Sequence, residues 1–319
     1  MNTPLQTAAR PAAAQCAGAV LLVRPAHFAF NPETAASNRM ATPAGGATSP
    51  APAALAEFEA LVHALTAAGV RCCVVQDTAL PPKPDAVFPN NWVSFHADGS
   101  LVLYPMCAPN RRTEARNAIL DAVADQLGFR ERRRLDLRAY AQRGKFLEGT
   151  GSMVLDHVGR IAYAARSVRT DESLVAEWAE WMGYEPVMFD TCGRDGTPLY
   201  HTNVVLAIGA RFALVCPAAL REGDRGRVLE RLRGLGRTLV ELSIEALYGF
   251  AANILELRVA AAGGLTTGVL TMSARARAAL APAEWEPLRA AVDTVLAVPV
   301  PTIENVGGGG VRCMMAEVP

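Results

Sequence analysis

Segments with helical periodicity begin at intervals of roughly 50 to 60 residues, each preceded by strand-like runs and most followed by another, as repeat architectures require. A strand, AVLLVRP (Ala19 to Pro25), precedes a helix near Ala53 to Ala68 and the strand RCCVVQ. Strands around Phe88 to Tyr104 precede a helix near Thr113 to Leu127. Strands around Ser152 to Ala164 precede an amphipathic helix, Asp171 to Met182, and the strand EPVMFD. Strands Thr202 to Ile208 and Phe212 to Cys216 precede a helix near Asp224 to Leu235, then TLVELS. Strands Ala252 to Ala260 and Leu265 to Met272 precede helical Pro282 to Ala291, then VLAVPV and a last extended segment holding Cys313. A doubly wound α/β sheet explains the alternation, but not so many paired strands between helices. Strand–strand–helix–strand units repeated about five times predict radial repetition, an α/β propeller whose final strand lies beside the first.

At 319 residues the chain is long enough for a large core, in one closed domain or two ordinary ones. Its 31 basic and 31 acidic residues balance, and its arginines are scattered, which argues against a nucleic-acid or membrane-surface partner. No apolar run has membrane-spanning length. The opening MNTPLQTAARPAAAQ lacks a continuous apolar stretch, so secretion is not expected. Residues 1–16 read as a tail ahead of a single catalytic domain, 17–319, and Ala41 to Pro52 as a surface loop or insertion. The seven cysteines (Cys16, Cys72, Cys73, Cys107, Cys192, Cys216 and Cys313) include no CxxC pair and no tetrahedral zinc spacing. Their odd number points to a reducing, cytoplasmic compartment.

Most of these cysteines lie in apolar strand-like runs, where a small buried hydrophobe is the ordinary role. Cys313 differs. It ends a run of four glycines in GGGGVRCMMAEVP, where backbone amides can approach a ligand closely. Other polar residues fall one group per repeat, at loop-to-strand positions. PDAVFPNNW supplies Asp85, Asn90 and Asn91; FLEGTGSMVLD supplies Glu148; ARSVRT supplies Arg169; YHTNVVLAIG supplies His201 and Asn203. FNPETAASN adds Asn31, Thr34 and Asn38, which either line a pocket or make turns. Singly, each has a plain structural reading: an Asp after Pro is often a turn residue, and the Arg111–Arg112 pair ahead of a helix a solvated face. As a set they are chemically coherent. A Cys and a His can form a thiolate–imidazolium pair, and carboxylates can hold a planar, NH-rich group with its central carbon open to attack.

PDAVF, EGTG, SVRT, the HTN strand start and the terminal GGGVRCM together resemble the arginine deiminase-like superfamily, the guanidino-group-modifying or pentein enzymes. The nearest likeness is to its citrulline utilization hydrolase (CtlX) branch, shared by VRPAHFAFNPETAASN and NRR-TEAR, with further likeness to dimethylarginine dimethylaminohydrolase. The resemblance runs from about Ala17 to Pro319. It implies a fivefold pseudosymmetric α/β-propeller, no metal or organic cofactor, and a small amino-acid substrate. By the resemblance, Cys313 is the nucleophile, His201 the general acid/base, and Glu148 the carboxylate that holds substrate nitrogens and orients the His. Asp85 binds the substrate's nitrogens and Arg169 anchors its α-carboxylate, with Arg111 or Arg112 assisting; of that pair Arg112 is the one carried forward. Such folds often pair through exposed faces, so a homodimer is compatible.

Two departures bear on the substrate. Arginine deiminases end an F-x-x-D motif with an acid where this chain has Asn91, and carry His-x-Asp where this chain has His201-x-Asn203. A guanidinium is a fixed cation suited to paired carboxylates, whereas a ureido group offers a carbonyl that an Asn NH₂ can donate to. These two swaps lean toward citrulline, hydrolysed to ornithine, ammonia and carbon dioxide; Asn90 is counted with them among the substrate-binding residues. Arginine or dimethylarginine hydrolysis, amidino transfer to an acceptor amine, and a non-enzymatic propeller used for binding are the alternatives.

Overall fold

Several strands are short continuous apolar runs, and continuous burial of that kind needs cover on both faces. IAYAA and FALV are buried at every residue. The computed structural model describes residues 14–45 and 48–319 and shows how the cover is supplied. The strands are β1 (Ala19–Arg24), β2 (Arg71–Gln76), β3 (Val93–Phe95), β4 (Ser100–Leu103) and β5 (Arg133–Asp136), then β6 (Met153–Asp156), β7 (Ile161–Ala165) and β8 (Glu185–Phe189). They continue with β9 (Leu206–Ile208), β10 (Phe212–Val215), β11 (Thr238–Glu241), β12 (Leu255–Ala260), β13 (Thr266–Ser273), β14 (Thr294–Val298) and β15 (Ala316–Val318). They form five three-stranded sheets, ordered β15-β1-β2, β3-β4-β5, β6-β7-β8, β9-β10-β11 and β12-β13-β14.

All five sheets share one plan. The first strand runs antiparallel to the middle one, and the third runs parallel to it. A parallel pair needs a crossover, and each receives a helix: Ala51–Ala67, Asn117–Leu127, Glu172–Met182, Glu222–Arg233 or Pro282–Ala290. The third helix shows how sequence sets its ends. Asp171 caps it by accepting from the amides of Ser173 and Leu174, and Gly183 ends it at φ 71°. The five-unit alternation expected from the sequence is present, and the last strand does return to the first: Ala19 faces Val318 in an antiparallel pair.

Some local expectations are corrected. The segments ahead of β3 and β9 and around Cys313 are not extended. Pro89–Asn91, Thr202–Val204 and Val311–Met314 are single 3₁₀ turns, and Gly149–Ser152 is one helical turn ahead of β6. Apolar runs this short do not distinguish helix from strand by periodicity. β5, RRLD, lies outside the strands read from the sequence; its alternating half-buried and exposed residues mark an outer strand rich in charge. Within the predicted tail, residues 1–13 lie outside the described residues. Gln15 is buried and donates to the carbonyls of Leu155 and Ile208. The predicted surface loop leads into the Ala51–Ala67 helix and touches Asn305 through Thr42. Among the described residues, no helix is long and apolar enough to cross a membrane.

Candidate active site

Each first strand is entered through a short turn, and those turns converge. A polar residue of each is hydrogen-bonded to a neighbouring sheet's turn. Asn90 Nδ2 donates to Thr150 Oγ1 at 3.3 Å, and Asn203 Nδ2 to the Thr150 carbonyl at 3.2 Å. Asn253, ahead of β12, donates from Nδ2 to the Asn203 carbonyl at 3.4 Å and to Cys313 Sγ at 3.2 Å. Asn203 Nδ2 also reaches that sulfur, at 3.6 Å. Cys313 is thus the end of a chain of contacts that visits all five sheets.

Around the sulfur lies a narrow cavity, lined among others by Cys313, His201, Asp85, Asn91, Arg111 and Arg169. His201 Nε2 and Glu148 Oε2 are 2.8 Å apart, both residues are buried, and Glu148 Oε1 accepts from the Cys107 amide at 3.0 Å. With Nε2–H donated to the carboxylate, the ring's Nδ1 is left to accept a proton. Gly151 makes this possible by close approach: a Cβ there would lie 2.6 Å from Asn91 Nδ2 and 2.7 Å from His201 Cε1.

Burial sets the protonation states. It pushes the Cys313 thiol up and holds His201 down, at about 4, against the pull of the Glu148 hydrogen bond. Burial also opposes ionisation of Glu148, but the Arg169 charge and the His201 hydrogen bond prevail and keep its carboxyl well below the usual range. At neutral pH the resting site therefore holds a thiol, a neutral imidazole and a carboxylate.

Asp85 is buried on the turn that begins at Pro84. Its Oδ2 accepts from Asn31 Nδ2 at 2.7 Å, while its Oδ1 is buried with no partner. Burial raises its pKa, with Arg111 and Asn31 working in the other direction. Asn91 Oδ1 accepts from Arg111 Nη1 at 2.9 Å, and Asn91 Nδ2 donates to Asn90 Oδ1 at 3.0 Å. Asn90 itself backs the cavity wall. Arg169 faces the cavity, but its guanidinium is engaged by Ser37 Oγ at 2.7 Å, the Thr34 carbonyl at 3.1 Å and Glu148 Oε2 at 3.3 Å. Asn38 donates to the Gly307 carbonyl, and Gly308 sits at φ +66° with Asn38 where its Cβ would be.

Arg112 is the one predicted residue that turns away. It is exposed, donating to the Met106 and Cys107 carbonyls, while Arg111 is buried against Glu114 and Asn91. In a 3₁₀ turn successive side chains project about 120° apart, so only one of an adjacent pair can face inward. Sequence reading also passed over Asn253, and Tyr200, whose hydroxyl donates to the Gly308 carbonyl and whose ring lies 5.0 Å beneath the Arg169 guanidinium. A larger cavity between His96, His157 and Glu317, at the far ends of the first strands, contains none of the predicted residues. Among the described residues, no cluster of three or more His, Cys, Asp or Glu could hold a metal ion, and all seven cysteines are free.

A family model described as N,N dimethylarginine dimethylhydrolase, eukaryotic, matches residues 24–319. The N-terminal domain of ArgZ bound to product, an arginine dihydrolase from the ornithine–ammonia cycle in Cyanobacteria, aligns at TM-score 0.66 and 19% identity, covering 94% of this chain and 97% of that one. Unliganded AgrE aligns at TM-score 0.69 and 17% identity, covering 94% of this chain and 39% of that one. A dimethylarginine dimethylaminohydrolase adduct with 4-chloro-2-hydroxymethylpyridine aligns at TM-score 0.62 and 17% identity, covering 94% and 99%. At these identities the likeness is one of fold. Among curated proteins, none matches this chain.

Proposed function

This chain belongs to the N,N-dimethylarginine dimethylhydrolase family, within the pentein superfamily, and on that premise we propose that it is a cysteine-dependent hydrolase of the terminal ureido or guanidino C–N bond of a small amino acid. The observation that carries the proposal is the joining of Cys313, the His201–Glu148 pair and the unpartnered Asp85 oxygen around one cavity. In this reading residues 17–319 are one catalytic domain, and the five sheets are blades of a fivefold α/β-propeller that β15 closes. The supporting observations are the shared sheet plan and the β15–β1 pair. The free cysteines agree with a reducing compartment, and we place the protein in the cytoplasm.

The sulfur of Cys313 attacks the ureido or guanidino carbon, its proton passing to His201. The tetrahedral adduct collapses as His201 returns that proton to the departing amine. Water, deprotonated by the same imidazole, then cleaves the thioester or thiouronium left on the sulfur. Glu148 orients the ring and stabilises it while charged. Asp85 accepts an N–H from the substrate through Oδ1. Arg169 anchors the α-carboxylate, which requires its contacts with Ser37 and Thr34 to be exchanged for the substrate.

Citrulline stands first as substrate, because Asn91 and Asn203 place carboxamides where arginine deiminases have acids. A guanidino substrate is the second reading, favoured by charge. Asp85, Glu114 and Glu148 outnumber Arg111 and Arg169 around the site, and His201 is neutral, so a cation would balance it. A mass-spectrometric product assay with citrulline, arginine, agmatine and dimethylarginine, alongside Cys313→Ala, separates the readings. Ornithine from citrulline, lost in the variant, supports the first. Citrulline from arginine or dimethylarginine supports the second. Turnover that survives in Cys313→Ala sinks both.

A further inference from the structure

Nucleophilic sulfur has to be a thiolate, yet Cys313 is 4% exposed, and Arg312, the cation whose charge favours its ionisation, is itself paired with Glu317. What touches Sγ instead is amide. Asn253 Nδ2 at 3.2 Å is the nearer donor, and Asn203 Nδ2 at 3.6 Å the farther. A carboxamide that turns its NH₂ to a thiolate gains a charge-assisted hydrogen bond, whereas one that turns its oxygen there meets repulsion. Both residues leave Oδ1 buried without a partner. A buried unpartnered carbonyl is unfavourable, so the fold sacrifices two acceptors to keep two donors aimed at one sulfur.

The Asn253 donor is placed by a costly piece of backbone. Phe250 adopts φ +65°, in the left-handed region that a bulky residue rarely enters. Its carbonyl then accepts from the Asn253 amide at 2.8 Å, turning the chain into β12. Asn253 Oδ1 packs against Gly310, where a Cβ would come within 2.8 Å. A side chain at 310 would push the carboxamide off the sulfur.

We propose that Asn253 is a further catalytic residue: its carboxamide NH₂ donates to the Cys313 sulfur, stabilises the thiolate that forms as the proton leaves, and fixes it for attack. This rests on the reading of Cys313 as nucleophile given above. The Asn253 hydrogen bond is the largest influence opposing the effect of burial on the thiol, ahead of the Arg312 charge and Asn203. The contribution matters most for a neutral ureido substrate, which brings no positive charge of its own to the sulfur.

The test is the pH dependence of Cys313 alkylation by iodoacetamide without substrate, followed on the Cys313 peptide by mass spectrometry so that the other cysteines do not interfere. Asn253→Asp keeps the shape and replaces a donor with a repelling oxygen; Asn253→Ala removes the donor. The inflection is expected to rise by about one to two pH units in Asn253→Ala, the worth of one hydrogen bond to a charged group, and further in Asn253→Asp. kcat should fall while KM changes little. If either folded variant, checked by its thermal melt, alkylates with the wild-type inflection, the proposal fails. Should Asn253→Asp not fold, Asn253→Ala decides alone, with Asn253→Ser as the partial donor expected to fall between. A wild-type Cys313 that never alkylates would overturn both this inference and the nucleophile reading. One that alkylates but is indifferent to residue 253 would overturn only this one.

Discussion

Asp85 is the residue whose state most clearly anticipates a ligand. One carboxylate oxygen is held by Asn31 and the other is buried with nothing to accept from. An N–H from a substrate would relieve it. Asp85→Asn should therefore raise KM by about tenfold to a hundredfold, the value of one hydrogen bond to a charged acceptor, with a smaller effect on kcat. The loss should be larger for arginine than for citrulline, because only the former also loses an ion pair. Steady-state kinetics on both substrates checks this, and an unchanged KM would remove Asp85 from the binding set. This residue was legible because PDAVF is a recognisable string. Arg111 was not separable from Arg112, since neighbours in a string carry no direction until the 3₁₀ turn gives them one. Tyr200 sat inside a quoted motif with no chemistry to single it out.

At the scale of elements, the site is made by the turns that precede the first strands, and the sequence had read several of these turns as strand. The repeat nevertheless contained a usable signal. Asn90, Thr150, Asn203 and Cys313 each lie three residues ahead of a first strand, and Asn253 lies two ahead of β12. Superposing the repeats in sequence would have placed Asn253 beside the other four, although AAN alone looks like nothing more than a loop end. The same turns are crowded. Gly151→Ala would drive a Cβ into Asn91 and the His201 ring. A catalytic group displaced by about 1 Å can cost a hundredfold in rate, so kcat should fall by about that factor or more while the far-UV spectrum stays native. Wild-type turnover in Gly151→Ala would mean the ring has more room than its contacts indicate.

Over the whole molecule, the fivefold alternation was legible because five helices recur at even spacing. What the sequence could not supply was which strand pairs with which, a matter of long-range contact. The molecule also holds two buried imidazoles, His96 and His201, and the half-buried His157, which shape its response to acid. Burial holds His96 to about 3 and His201 to about 4, and lowers His157. The folded protein keeps these rings neutral where the unfolded chain, with an ordinary value near 6.5, takes up protons. These groups therefore withdraw stability as pH falls from about 6.5 toward 4 and have no such effect above it. His96→Asn should flatten the slope of unfolding free energy against pH in that window by up to about 1.4 kcal/mol per pH unit. Urea midpoints at pH 7, 5.5 and 4.5 measure it, and parallel slopes in the two proteins would refute it.

The strand that completes the first sheet follows directly from the turn that carries Cys313, so the proposed nucleophile and the β15–β1 pair share one short piece of chain. A reagent too large for the cavity can meet the sulfur only when that piece, or the Asn31–Asn38 segment above it, lets go. The thiol is thereby a built-in gauge of breathing. The ratio of its labelling rates by a bulky and a small electrophile reports how often the native structure opens at its own seam, with no probe added from outside.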